Sequence, residues 1–184
     1  LAPVVQAETL RGAPLMRRFQ PEDYNATPQH LALATDAAGR LYVGNVEGVL
    51  RHDGEAWDLL VLPGKAIGRD LATGKDGQIY VASYDTFGWL IAGEDGQVRY
   101  EELMTAAGLK GRARAVGMVW QVYATGQGVY FRAENALHFL SYDRRRIEHW
   151  PLQDNVRSFN VDGDTLYARV DGVARAVDGD QLAL

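Results

Sequence analysis

Leu31-Ala-Leu-Ala-Thr-Asp36-Ala-Ala-Gly39-Arg-Leu-Tyr42-Val-Gly44, then Gly48-Val-Leu-Arg-His-Asp53-Gly54 and a closing Trp57, is the stretch on which the reading of this chain turns. Its apolar runs are short and are broken every few residues by Gly or Asp-Gly, the pattern of strands joined by tight hairpins rather than of helices. The unit returns as Asp70-Leu-Ala-Thr-Gly-Lys-Asp76-Gly77-Gln-Ile-Tyr80-Val-Ala, with Phe87-Gly88-Trp89-Leu90-Ile91 and Asp95-Gly96 behind it. A third copy runs Val119-Trp-Gln-Val-Tyr-Ala-Thr-Gly126-Gln-Gly128-Val-Tyr130-Phe and closes on Trp150. A fourth runs Ser158-Phe-Asn-Val-Asp162-Gly163-Asp164-Thr-Leu-Tyr167-Ala. The equivalent tyrosines Tyr42, Tyr80, Tyr130 and Tyr167 are spaced by 38, 50 and 37 residues. A repeat of about 40 residues holding four short strands is a propeller blade, whereas leucine-rich repeats are shorter and helical repeats show a 3.6-residue period.

The expected fold is therefore an all-β β-propeller segment occupying residues 1–184, with blades at about 29–62, 66–103, 117–152 and 156–184. The long interval is assigned to a short helical insertion at 101–108, where Glu101-Glu-Leu-Met-Thr-Ala-Ala107 is rich in helix formers and Gly108 ends it. Residues 15–19, Leu-Met-Arg-Arg-Phe, read as a strand belonging to a neighbouring blade. Gln181 to Leu184 reads as the fourth strand of the last blade, so the four repeats are expected to be part of a larger propeller; the alternative is a closed ring of four with that segment as a tail. An open fragment would leave strand edges and apolar blade faces that call for self-association or further blades.

Composition narrows the function. The 184 residues carry 24 acidic and 19 basic side chains, a net charge of −5, so there is no sequence-wide basic field for nucleic acid. Cysteine is absent, which removes disulfides, thiolate metal sites and cysteine nucleophiles. No apolar run is long enough to cross a bilayer, so membrane attachment would come only through segments outside this chain. His30, His52, His138 and His149 are scattered, without metal-ligand spacing, and Asp162-Gly163-Asp164 reads as a hairpin turn rather than a calcium loop. No metal and no cofactor are expected. The three serines, Ser83, Ser141 and Ser158, lack a nucleophile motif, and Glu101 with Glu102, adjacent on the expected helix, would not face each other as an acid and base.

In a propeller the loops between second and third strands open on one face around the axis, where a ligand would sit. The expected ligand-binding residues are Asn45, Glu47, Tyr84, Asp85, Phe87, Arg132, Glu134 and Arg169, a mixture suited to a sugar or an organic acid. Tyr84 and Phe87 stand out, two neighbouring aromatics in an expected loop with no alternation to bury both. Trp57, Trp89, Trp120 and Trp150 are read chiefly as packing between blades, with Trp89 the best of them for stacking on a sugar.

These residues carry a family likeness. Phe19-Gln-Pro-Glu-Asp-Tyr24, Asp36-Ala-Ala-Gly39-Arg-Leu-Tyr42-Val-Gly44-Asn45 and Gly48-Val-Leu-Arg-His-Asp53-Gly54 resemble the repeat of two-component regulator propellers, with Tyr42 where Trp is usual, Asn45 where Thr is common and His52 where Tyr is common. The likeness runs over residues 15–184 and is strongest in the first two blades. It implies a periplasmic ligand-sensing domain of a bacterial histidine kinase or diguanylate cyclase, with any catalytic output domain outside this chain. The motif residues are structural, so the likeness assigns no ligand contact. The other readings are a protein-interaction scaffold and a propeller hydrolase or lyase; an enzyme would need an acid or base on the axial face, such as Glu47 or Glu134 beside Arg132.

Overall fold

The structure, a computed structural model, describes residues 16–93, 96–153 and 156–177. They form four antiparallel sheets in which spatial order follows chain order, as short runs joined by tight turns require. The first holds β1 (His30–Thr35), β2 (Leu41–Asn45), β3 (Gly48–His52) and β4 (Trp57–Leu60). The second holds β5 (Asp70–Thr73), β6 (Ile79–Ala82), β7 (Phe87–Ala92) and β8 (Val98–Glu102). The third holds β9 (Gln121–Ala124), β10 (Gly128–Arg132), β11 (Ala136–Ser141) and β12 (Ile147–Pro151), and the fourth β13 (Val156–Asp162), β14 (Thr165–Val170) and β15 (Val173–Ala176). These are the blades of an all-β propeller.

The repeated Gly and Tyr have one structural reason. Gly39, Gly77 and Gly96 sit at φ 79°, 79° and 75°, and each donates its N–H to the carbonyl three residues back, at Asp36, Gly74 and Gly93. That backbone conformation strongly favours glycine. An aspartate of the turn then accepts the tyrosine hydroxyl of the next strand: Tyr42 on Asp36 at 3.2 Å, Tyr80 on Asp76 at 2.7 Å. The two aspartates stand at different turn positions, yet they meet equivalent tyrosines.

Neighbouring blades are joined by apolar junctions with three components. Between the first and second blades, Tyr42, Val49 and Leu60 meet Leu71, Ile79, Val81 and Leu90, and the linker supplies Leu62 and Ala66. Between the second and third, Tyr80 and Phe87 meet Val122, Val129, Phe131 and Leu140, with linker residues Leu103, Met104, Ala107, Leu109, Val116 and Val119. Between the third and fourth, Tyr130, Leu137, Phe139 and Trp150 meet Leu166 and Ala168, with Leu152 from the linker. The inner strands are also tied across blades by side chains. Thr73 Oγ1 donates to Thr35 O (2.7 Å), Val122 N donates to Asp70 Oδ2 (2.9 Å) and the Tyr123 hydroxyl reaches Phe159 O (3.4 Å). Where the first linker crosses β2, a Cβ on Gly44 would strike the Gly68 carbonyl, and Gly68 N instead donates to Asn45 O at 2.9 Å.

Three expectations for local structure change. Residues 16–20 form no strand; Phe19 turns onto Trp57 and His52, with ring centroids 5.2 and 5.1 Å away, and a single helical turn, α1 (Pro21–Tyr24), follows. The helix expected at 101–108 does not form: Glu101 and Glu102 pair with Trp89 and Gly88 in β8, and the chain then makes one turn in which Ala107 N donates to Leu103 O. The junction dictates this, since it buries Leu103, Met104 and Ala107 together, and packing overrides the helical propensity of the stretch. Glu102 closes that turn through Thr105 N (3.1 Å) and Arg114 (3.0 Å). The expected strand Gln181 to Leu184 lies outside the described residues.

Candidate functional site

Every first strand begins, and every second strand ends, on one face of the arc, so the loops after β2, β6, β10 and β14 share that face with the linkers entering β5 and β9. The expected site residues divide there into structural and available groups.

Asn45 is structural and fully buried. Its Nδ2 donates to Thr27 O (2.8 Å) and lies 3.2 Å from His30 Nδ1, while its Oδ1 accepts Glu47 N (2.9 Å). Glu47 in turn accepts Thr27 N at 2.8 Å, so both hold the segment entering β1. Phe87 is a core residue with no exposed surface, stacked on Phe131 at 4.2 Å between centroids. The reason is register: Phe87 pairs with Ala82 as Val49 pairs with Gly44 and Leu137 with Arg132, and all three face the following blade. That register was readable in the repeat.

Tyr84 and Asp85 behave as expected of loop residues, with Tyr84 57% exposed. They are held against the long linker. Asp85, at φ 52°, donates its N–H to Gly117 O and accepts Gly117 N on Oδ1, both at 2.8 Å; Tyr84 bridges to Met118. Glu134 lies over the same glycine, where a Cβ on Gly117 would meet its carboxylate. The next linker residues continue the patch: Val119 N donates to Ser83 O (2.9 Å) and Trp120 N to Arg132 O (2.8 Å). Tyr84, Asp85 and Glu134 are thus drawn to one rim between the second and third blades, whereas Arg132, the last residue of β10, meets it only through its main-chain carbonyl: it stands opposite Leu137, on the face toward the fourth blade. Arg169 is apart, on β14, where its Nε donates to Gly172 O (3.3 Å).

Two residues of this rim were not among the expected contacts. Trp120 is 38% exposed, and the Arg69 guanidinium lies over its ring at 5.2 Å. Each stands immediately before a first strand, a repeat position that the sequence displays without saying which residues stay in solvent. Trp89, the favoured stacking tryptophan, is half-buried: it stacks on Tyr80 (6.1 Å) and lies under the Arg144 guanidinium (4.2 Å). Its exposed face is therefore already used.

The electrostatics of the neighbourhood follow burial. Burial raises the Asp70 carboxyl above the ordinary carboxylate value, although Val122 N–H opposes the shift. Burial likewise pushes the Tyr123 phenol up to about 12. In the adjoining junction, burial and then the charge of His149 push His138 down to about 4. His149 Nε2 faces Ala107 O at 2.8 Å and must donate; in the neutral ring its Nδ1 then accepts from His138 Nδ1 at 2.8 Å, and in the charged ring it donates there instead. Among the described residues no group of three or more His, Asp or Glu is placed to hold a metal ion, and no helix is long and apolar enough to cross a membrane.

Solved structures resemble this fold. The extracellular domain of BT4673 from B. thetaiotaomicron, named in one structure as part of a one-component system, superimposes with a TM-score of 0.62 at 11% identity over 86% of this chain. A second structure of that domain, named as part of a hybrid two-component system, gives 0.61 at 18% identity over 83%. Virginiamycin B lyase from Staphylococcus aureus gives 0.54 at 10% identity over 80%. The chain spans 23% and 21% of the BT4673 chains and 55% of the lyase. At these identities the likeness establishes the propeller architecture. No protein-family profile and no curated protein matches the chain.

Proposed function

We propose that this chain is a ligand-sensing part of an extracytoplasmic propeller in a bacterial signalling receptor, taking a small polar ring compound such as a sugar or an organic acid at the rim between its second and third blades. The observation that carries the reading is the gathering of exposed Tyr84 and Trp120 with Arg69, Asp85 and Glu134 on one patch. Aromatic faces suit a sugar ring, and guanidinium and carboxylate groups suit its hydroxyls or an acid. The fold supports the sensing role, because its solved neighbours include an extracellular domain named as part of a signalling system. The state of such a site would reach a membrane-linked output by differential affinity for two receptor arrangements.

A non-catalytic role fits the rim better than an enzyme. Asp70 has the perturbed setting of a catalytic acid, but its carboxylate accepts the Val122 N–H that ties two blades together. The test is thermal denaturation of the chain against a panel of sugars and organic acids, repeated with Tyr84→Ala and Trp120→Ala. A compound that raises Tm for the parent chain and not for either variant supports the reading. No shift with any compound, or a shift that both variants retain, refutes the assignment of this rim.

A further inference from the structure

On the face opposite the rim, each junction ends between the turn joining the first two strands of one blade and the corresponding turn of the next. Between the second and third blades the chain closes this end itself. Tyr142, the residue after β11, lays its half-buried ring on Gly74 and against the junction core, 6.4 Å from the Tyr80 ring. Its hydroxyl accepts Lys75 N (2.9 Å) and donates to Thr125 O (2.7 Å). One phenol thus fills the space between the two turns, with main chain satisfying its polar end.

Between the first and second blades the same space is a hollow of about 430 Å³, within the roughly 300–1,000 Å³ that small-molecule sites occupy. Register places Ala92 there. Leu90 pairs with Ile79 as Leu140 pairs with Val129, so Ala92, two residues on and on the same face, is the counterpart of Tyr142. The turns match as well: Gly39 N donates to Asp36 O as Gly77 N donates to Gly74 O. Tyr42 therefore stands for Tyr80 and Ala37 for Lys75, and both line the hollow with Ala92. The Ala37 N–H has the position of the Lys75 N–H that binds Tyr142, and it has no acceptor among the described residues. Ile79 and Leu90, 2% and 4% exposed, give the hollow an apolar floor. Arg40 lines it too; its Nε donates to Asp36, and its two terminal nitrogens add donors.

We propose that this hollow binds a small phenolic compound, its ring lying where the Tyr142 ring lies one junction further on and its oxygen accepting the Ala37 N–H. The occupant is a phenol because the chain itself fills the equivalent space with one, on a matching turn and beside an equivalent tyrosine. The site lies on the other face from Tyr84 and Trp120, and binding there does not depend on the rim.

The probe is p-cresol, the tyrosine side chain without its backbone. It is titrated calorimetrically into the 184-residue parent chain, Ala92→Tyr and Tyr142→Ala, and located by nuclear Overhauser effects from its ring protons. Ala92 is exposed, so the tyrosine should leave the circular dichroism spectrum unchanged while supplying the ring from the chain itself. The parent should bind one p-cresol, with Overhauser contacts to Tyr42, Ile79 and Leu90. Affinity should fall at least about tenfold in Ala92→Tyr. Tyr142→Ala should take a second molecule, which raises its lowered Tm. A parent chain that binds no p-cresol overturns the proposal. So does binding that Ala92→Tyr leaves unchanged, a ring located at Tyr84 and Trp120 instead, or a folded Tyr142→Ala chain that takes no second molecule.

Discussion

Phe87 and Tyr84 stand three residues apart and have opposite roles, and replacing each by alanine separates them. Phe87 is fully buried, its ring stacked on Phe131 with centroids 4.2 Å apart and planes 20° apart, and the His138 ring lies 5.5 Å away. Truncation removes the transfer free energy of the ring and leaves a cavity in a junction whose walls belong to two sheets, which limits collapse. The expected cost of Phe87→Ala is about 3–5 kcal/mol. For a chain of this length each kcal/mol corresponds to roughly 2–4 °C in Tm, so the fall is about 6–20 °C. Tyr84, more than half exposed and held by its backbone, should change stability by less than about 0.5 kcal/mol on truncation. Urea denaturation below the concentration of any self-association, followed by tryptophan fluorescence, measures both. A cost below about 1 kcal/mol for Phe87→Ala, or equal costs for the two variants, would refute the assignment of Phe87 to the core.

Three further outcomes are expected. Asp70 has a raised carboxyl value, so the native state binds the proton more tightly than the unfolded chain, and its contribution to stability falls as pH rises above 3.8 through the raised value. Asp70→Asn keeps an acceptor for Val122 N without the buried charge and should gain relative to the parent between acidic and neutral pH, whereas Asp70→Ala should lose about 1–3 kcal/mol; urea titrations at two pH values check both. Asp36 goes the other way: burial acts to raise it, but Arg40, at 2.6 Å, and Tyr42 outweigh that and hold it below 3.8. Its contribution is present above that value and lost as pH falls through the lowered one, so the cost of Asp36→Asn, measured by denaturation, should shrink in acid. Gly48 sits at φ 140°, and a Cβ there would strike the Leu60 carbonyl, so Gly48→Ala should cost more than about 1 kcal/mol in a thermal melt, and a neutral result would remove the close approach.

The division between what was legible in the chain and what was not follows from the range of the interactions. Strands, hairpins and blade number were written in the sequence, because each depends on near neighbours: Gly39, Gly77 and Gly96 force their turns locally, and period-two burial follows from the pleat. The exception within that local range is residues 101–108, where helix formers yielded to a junction that needed Leu103, Met104 and Ala107 buried together. The site was only partly legible. Tyr84, Asp85 and Glu134 came together as loop residues of one face should, whereas Phe87 and Asn45 went to the core and to the turn, and Arg132 ended strand β10 on the face toward the fourth blade. Tyr80 beside Trp89 is a pair within one hairpin, but nothing local marks Trp89 as covered also by Arg144, or Trp120 as exposed beside Arg69, since those neighbours come from distant parts of the chain. The sequence by itself determined that blades form and in what order; tertiary structure decided which aromatic faces remain in solvent, because exposure depends on the neighbouring blade and its linker rather than on the residue's own strand.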